Sequence, residues 1–394
     1  MDIFIKPPWE SIQFKKNTEP VSFFEMKKGE WSHIATPEEQ EIQMYRSKIE
    51  KYEKEQGEGT WEYYKKIINP YEFVYTQKKY EDFPESLCLT KPLSRSYFKM
   101  IEILYVSGFF TTCEHHFIRS AHVCEGPGGF MEGFIDANSH YKRMPKSINA
   151  ITLKPKQPNI PGWKRASYFL QKNKRIINID YGEDGTGDIL LYENQNHFIK
   201  SCPDKVSLFT GDGGFDFSVD YKNQEESIFP LLIASTRIGF EVLREGGYFV
   251  LKFFDLYNSA TVELLYILSL HFKSWTLYKP ATSRPCNPEQ YFIGKEFKGA
   301  SKDMLEYLRS ISKDNNHISH IATPTEMFIN EIEEMRTVIV KRQIEYLKSV
   351  FNLIEGGNDI IIKSLIKGHI TESYKWCRKF NIYVHPNRVA KLNS

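Results

Sequence analysis

The stretch "CEGPGGF" (residues 124–130) continues a strand candidate that begins "SAHV" and runs into a helical stretch opening at Phe130. Three glycines and a proline in seven residues strip a strand-to-helix turn of side chains. Glycine permits positive φ and lets a ligand reach backbone N–H groups with no Cβ in the way. Two readings follow, a ligand cradle at the carboxyl edge of a sheet or simply a tight βα turn, and the flanking sequence has to separate them.

Working outward, further strand candidates are "INAITL" (148–153), "RIINID" (175–180), "VSLFTG" (206–211), "GYFVLKF" (247–253), "WTLYKP" (275–280) and "QYFIGKEF" (290–297). Helical stretches at 225–244 and 260–272 separate some of them. Repeated βα units with Val, Ile, Leu and Phe in the strands predict a mostly parallel sheet covered on both faces. A loop rather than a helix joins the last two strands, so that pair is expected to be antiparallel. The fold class is therefore α/β, a Rossmann-like seven-stranded sheet of the methyltransferase type with an antiparallel last strand. In such a sheet the glycine turn lies at the topological switch point, where a nucleoside-like cofactor binds. A dinucleotide site asks for GxGxxG and an acid about 20 residues on, and a nucleoside triphosphate loop for GxxxxGK[ST]. Neither pattern is present, and the second strand ends in Thr152-Leu153-Lys154. A cofactor without phosphates, such as S-adenosylmethionine, fits better.

Before the turn, Leu93, Tyr97, Met100, Ile101 and Leu104 share one face of a helix expected over 94–106, with Lys99 on the other. Far downstream, "TPTE" (323–326) has the capping-box form with Pro324 at the first helical position. Phe328, Ile332, Met335, Ile339, Tyr346, Val350 and Ile354 then continue at helical spacing to Gly356 and Gly357, predicting one long helix. Three segments are expected: an N-terminal extension over 1–85 that is a candidate for RNA or cap binding, a catalytic domain over 86–300, and a C-terminal helical region over 301–394.

Together, "CEGPGGF", "LFTGDGGFDFS", "GYFVLKFF" and "SRPCNPEQYFIG" resemble the FtsJ/RrmJ-like ribose 2'-O-methyltransferases, with the cap-specific branch of eukaryotes and large cytoplasmic DNA viruses most alike. The likeness spans roughly residues 94–297, with "NPYEF" (69–73) as an outlying match. It implies a Lys-Asp-Lys-Glu tetrad, falling here on Lys99, Asp212, Lys252 and Glu289. It also implies S-adenosylmethionine as methyl donor and the ribose of capped mRNA as acceptor, with ribosomal or transfer RNA as the rival substrate and a non-catalytic RNA-binding scaffold as the rival class. Lys252 is expected to be the general base, its pKa brought from about 10.4 toward roughly 7 to 8 by burial and by Lys99. Asp212 and Glu289 pull the other way. The cofactor contacts expected are Glu125, Gly126, Pro127, Gly128, Gly129, Phe130, Asp212 and, in the loop "DYGEDGTGDIL" (180–190), Asp188 ahead of Asp184 and Asp180. Lys154 and Arg284 are expected to contact the RNA. A protein partner from the capping or transcription machinery and a cytoplasmic site, as a viral factory or virion or alternatively the nucleus, are implied by the same resemblance.

Composition agrees with a folded chain: 41% of the 394 residues are hydrophobic and 14% aromatic, which excludes global disorder. Net charge is only +2, but residues 137–179 hold ten Lys or Arg and no acid, interleaved with Tyr141, Trp163 and Tyr168, the best candidate for a polyanion-facing surface. Residues 341–394 carry ten basic and four acidic groups, a weaker candidate. The six cysteines are scattered without a CxxC pair, and the start "MDIFIKPPW" lacks a signal-peptide layout, so reduced thiols in an intracellular chain are expected. No apolar stretch reaches the roughly 20 residues a bilayer needs. His115, His116 and His122 are read as structural rather than as metal ligands, and no metal is expected.

Overall fold

Seven strands form one sheet: β1 (Arg119–Val123), β2 (Ser147–Ile151), β3 (Ile177–Asp180), β4 (Val206–Gly211), β5 (Leu243–Phe253), β6 (Phe272–Tyr278) and β7 (Gln290–Phe297), in the order β3-β2-β1-β4-β5-β7-β6. The computed structural model describes residues 7–17, 24–34, 36–57, 59–76, 83–112, 118–155, 162–214, 224–314 and 318–390. All pairings among β1 to β5 are parallel, and β7 runs antiparallel to both β5 and β6. The expected seven-stranded sheet is present, and its last strand is inserted between the fifth and sixth. The strands are near-continuous hydrophobic runs because helices cover both faces. Val206, Leu208, Phe209, Phe249, Val250, Phe292 and Ile293 are all essentially inaccessible.

The chain divides into two compact units. The first gathers Met1–Ile34, Ser96–Lys279 and Glu289–Ile332, and so contains the sheet. Here the segment near Lys15 lies along the edge strand β6: Lys15 N donates to Trp275 O at 2.7 Å, and Trp275 N donates to Lys15 O at 2.9 Å. That pairing covers a sheet edge that would otherwise be open. Lys27–Lys28 pairs with Ile318–His320 in a two-stranded ribbon.

The second unit gathers Ala35–Arg95, Pro280–Pro288 and Glu333–Ser394. Its helices include Pro37–Gln56, which Thr36 caps by accepting from Glu39 N at 3.2 Å, and Thr60–Ile68 and Asp359–Lys379. Tyr45 and Trp61 pack on Phe351 with ring centroids 5.8 and 5.2 Å away. The two units are not contiguous in sequence: Met1–Ile34 falls in the unit that contains the sheet, and Pro280–Pro288 in the other.

The long helix is Glu326–Gly356. It begins two residues later than the capping-box pattern suggests: Thr325, not Thr323, is the cap, its hydroxyl accepting from Phe328 N at 3.3 Å. Pro324 thus precedes the helix instead of opening it. Among the described residues no helix is long and apolar enough to cross a membrane.

Candidate functional site

Strand register sets the site. Val123, Gly211 and Leu251 are neighbours across β1, β4 and β5, so the residues that follow them, Cys124-Glu125, Asp212 and Lys252, line one carboxyl edge. β1 sits between β2 and β4, where the strand order reverses, and the glycine turn springs from its end. Gly128 has φ 110, which an L side chain resists, and leads directly into the helix Gly129–His140. Gly126 N donates to the Thr152 hydroxyl at 3.1 Å. Thr152, where an acid had been looked for, buttresses the turn.

Lys99 is carried by the helix Ser96–Val106, and its Nζ lies 2.7 Å from Glu289 Oε1 and 2.8 Å from Oε2. Only the Oε2 contact has hydrogen-bond geometry, which leaves Oε1 buried without such a bond. Lys252 Nζ donates to Asp212 O at 2.8 Å and sits 3.2 Å from Asp212 Oδ1. Tyr291, opposite Lys252 in the β5/β7 register, joins the two pairs. Its hydroxyl donates to Asp212 Oδ1 at 2.8 Å, and Lys99 Nζ lies 3.5 Å from that hydroxyl. The result is one chain of polar groups running from Glu289 through Lys99, Tyr291 and Asp212 to Lys252. Sequence reasoning missed Tyr291, although strand alternation puts it on the same face as Glu289 two residues earlier.

The charges are strongly coupled. Burial opposes ionisation of Glu289, yet Lys99, Lys252 and Lys279 overcome it and hold the carboxyl at about 2. For Lys252, burial favours the neutral amine, but Asp212 and then Glu289 outweigh it, so its pKa stands above the ordinary lysine value. This corrects the expected fall toward neutrality: two carboxylates face Lys252, while Lys99 is itself paired to one of them. Burial pushes the Cys124 thiol up to about 12, against the pull of Lys252 and with Asp212 and Asp188 adding to the rise. The charge of Asp188 is thus felt at the turn. Gly214 keeps this corner open, since a Cβ there would come 3.2 Å from Lys252 Nζ and 3.3 Å from the Phe254 ring.

The other expected contacts separate. Glu125 turns inward: it is buried, accepts from Met131 N at 2.9 Å, and burial, reinforced by Asp212, raises its pKa well above the carboxylate range. Its side chain therefore caps the helix. Phe130 is fully buried, backbone as well as ring. Asp188 Oδ1 accepts from Leu190 N at 3.0 Å, whereas Asp180 is occupied by His197 at 3.0 Å and Gly182 N at 2.6 Å. Asp184 accepts from Thr186 in its own loop and from Asn194 in the helix Tyr192–Ser201.

Lys154 is exposed just past β2, and Lys164, Arg165, Tyr168 and Lys172 are exposed around the helix Ser167–Lys172. Lys156 and the "FDFS" of the second motif lie outside the described residues. Arg284 sits in the second unit, forked onto Glu72 by Nε and Nη2 at 3.2 Å each, with Nη1 3.5 Å from Glu62. His122 is buried between Thr210 and Ser120 at 2.7 and 2.8 Å, a structural role, while His115 and His116 lie outside the described residues. Among the described residues no group of three or more His, Cys, Asp or Glu is placed to hold a metal ion.

Residues 92–297 match the FtsJ-like methyltransferase family. The cap-specific mRNA (nucleoside-2'-O-)-methyltransferase 1 of Mus musculus is 32% identical over 257 residues, covering 63% of this chain and 29% of that protein. The protein of the same name from Trypanosoma brucei brucei is 28% identical over 245 residues, covering 59% of this chain and 64% of that one. The chain thus spans less than two thirds of either relative. Among solved structures, an rRNA methylase from Streptococcus thermophilus aligns over 53% of this chain and 98% of its own, at 9% identity and a TM-score of 0.30, a likeness that bears on neither substrate nor mechanism.

Proposed function

Because the chain belongs to the FtsJ-like methyltransferase family, we propose that it methylates the ribose 2'-hydroxyl of a cap-proximal nucleotide of mRNA. The observation that carries this reading is the coupling of Lys252 with Asp212 and of Lys99 with Glu289 through Tyr291, at the sheet edge beside the glycine turn. The residues present fit S-adenosylmethionine: bare backbone at Gly126 and Gly128 on the switch point, and Asp188 close enough to act on Cys124. When bound, S-adenosylmethionine supplies a sulfonium methyl group, whose transfer to the ribose oxygen leaves S-adenosylhomocysteine.

The chain's own residues then manage the hydroxyl and its proton. The buried Glu289 Oε1, without a hydrogen bond of its own, is an acceptor suited to orient the ribose hydroxyl. Lys252 Nζ takes the proton, and only its neutral amine can do so. Since Asp212 and Glu289 favour the ammonium form, the working amine is a minor species at neutral pH, and turnover rises as pH increases. Tyr291 fixes Asp212 and so the direction in which the amine points. The exposed cations around Tyr168 suit RNA, with lysine and arginine on phosphates and the ring as a stacking surface. Capped mRNA as substrate, a capping or transcription partner and a cytoplasmic site belong to the same proposal.

The test is transfer of labelled methyl groups to a short capped RNA, run beside the uncapped RNA and a Lys252→Ala protein. Cap-dependent ribose labelling that is lost in Lys252→Ala is expected. Equal labelling of both RNAs would reject the cap reading in favour of ribosomal or transfer RNA. Labelling that survives Lys252→Ala would reject Lys252 as the proton acceptor.

A further inference from the structure

Glu72, in the "NPYEF" stretch that the methyl-transfer chemistry leaves unused, is completely buried. Four side chains of the second unit converge on it. Asn69 Nδ2 donates to Oε2 at 2.9 Å and the Thr76 hydroxyl to Oε1 at 3.1 Å. Arg284 forks onto both oxygens through Nε and Nη2, the bidentate arrangement in which arginine binds carboxylate most directionally. Arg95 Nη1 lies 3.5 Å from Oε1, its Nη2 donates to Thr282 O at 3.0 Å, and it is also bonded to Tyr75 O. Burial alone would keep this carboxyl protonated, but Arg95 and Arg284 hold its pKa below the ordinary carboxylate range. A buried carboxylate between two arginines is costly to assemble and strongly destabilising to break.

What matters is where the two arginines stand in the chain. Arg95 is the last residue of its segment in the second unit, and Ser96 opens the helix that carries Lys99. Arg284 lies in the nine-residue excursion Pro280–Pro288, whose next residue is Glu289. The excursion is fastened again by Gln343 Nε2, which donates to Cys286 O at 3.0 Å. At its neck Lys279 Nζ donates to Glu289 O at 2.8 Å. One carboxylate therefore anchors the chain four residues before Lys99 and five residues before Glu289, and these two are the partners of a 2.7 Å ion pair.

We propose that Glu72 is a positioning residue for the Lys99 and Glu289 pair: through Arg95 and Arg284 it fixes both chain segments that deliver that pair. The catalytic consequence rests on the methyltransferase reading above, but the anchoring does not. A carboxylate acting in this way changes the rate of the chemical step rather than the binding of either substrate.

The experiment compares wild type with Glu72→Gln, and with Arg284→Lys as a milder variant that keeps the charge and loses the fork. Hydrogen exchange followed by mass spectrometry reads peptides covering 96–106 and 285–293 in the full chain. Methyl transfer to capped RNA reads kcat and KM, and calorimetry with S-adenosylhomocysteine reads the cofactor site. In Glu72→Gln the two peptides should exchange about tenfold faster, as expected for loss of local protection. Its kcat should fall about 10- to 100-fold, as for a misplacement of order 1 Å in a catalytic pair. The KM for RNA and the affinity for S-adenosylhomocysteine should stay within about twofold, which marks an effect on the transition state. Arg284→Lys should move the same quantities in the same direction by less. Unchanged exchange in both peptides of a cooperatively melting variant, or a loss confined to KM, would overturn the proposal. Should Glu72→Gln fail to fold, the same outcomes in Arg284→Lys decide it. The exchange measurement needs no RNA, so it decides the anchoring even if the wild type transfers no methyl group, a result that would instead count against the proposed function.

Discussion

Replacing Asp212 by asparagine removes the charge nearest Lys252 while keeping an oxygen where Tyr291 donates and leaving the backbone carbonyl that Lys252 also uses. The two charged groups stand 3.2 Å apart with side chains only 11% and 16% exposed, so screening by solvent is limited. Coulomb's law gives about 5 kcal/mol for that separation at an effective dielectric near 20 and about 1.3 kcal/mol at the bulk-water value. Divided by about 1.4 kcal/mol per pH unit, the loss should lower the Lys252 midpoint by about 1 to 4 units. The direction follows from the same contact: Asp212 stabilises the ammonium form, so its removal favours the amine. The midpoint can be read from the ε-carbon resonance of 13C-labelled lysine across a pH titration, with the signal assigned by its disappearance in Lys252→Ala. The pH dependence of methyl transfer should move toward acid by the same amount, whatever happens to its maximum. A midpoint that stays in place or rises in Asp212→Asn would refute the claim that the carboxylates set the Lys252 proton affinity.

Other expectations follow from the same geometry. Glu289 has a folded-state pKa of about 2 against roughly 4.3 unfolded, so the stability it contributes is present above pH ~4.3 and disappears as pH falls through 2. Glu289→Gln should therefore lower the unfolding free energy at pH 7 by up to about 3 kcal/mol and flatten its decline in acid, read by urea titrations at stepped pH. Glu125 has the opposite sign. Its pKa is raised in the folded chain, so wild-type stability erodes as pH climbs above the unfolded carboxylate value, and Glu125→Gln should melt a few degrees higher than wild type at pH 8 and less so at pH 5. Equal melting shifts at both pH values would contradict a raised pKa for the buried carboxyl. If Lys164 and Arg165 contact phosphates, changing each to alanine should weaken RNA binding similarly across sequences and reduce the slope of log affinity against log salt by about 1 per residue. A slope unchanged in the double variant would remove this surface from the RNA site.

The sheet was legible because its strands are long apolar runs punctuated by glycine, and because Lys252, a lone cation in such a run, stands out against "FVL" and "FF". The four residues Lys99, Asp212, Lys252 and Glu289 were picked out by motif order: Asp212 follows β4, Lys252 lies near the end of β5, Glu289 precedes β7, and Lys99 sits in the helix before the glycine turn. Tyr291 was not, because a buried tyrosine in a strand reads as core until its hydroxyl is seen to reach Asp212. The partner of Arg284 was not legible: Glu72 lies 212 positions away, and no local pattern reports a contact at that separation. The sign of the Lys252 perturbation depends on whether Asp212 or Lys99 is nearer its ammonium, which is a matter of ångströms rather than residue types. Thr323 and Thr325 are chemically equal as caps, and the proline between them pointed to the wrong one. Nor could composition tell that 280–288 would join the helical unit while residues near Lys15 would pair along the sheet.

The strand Gln290–Phe297, last of the seven in sequence, is sandwiched between Leu243–Phe253 and Phe272–Tyr278. During synthesis the two flanking strands are made first and must wait, with a gap one strand wide, until residue 297 has cleared the ribosome tunnel. The first four strands can assemble around the glycine turn on the nascent chain, but closure of the sheet is a late event that depends on distant sequence. That late strand also brings Tyr291, and Glu289 immediately before it, so an unfinished polypeptide has the glycine turn but not the polar chain that joins Glu289 to Lys252. Assembly of that chain and completion of the sheet thus fall in the same step of biogenesis.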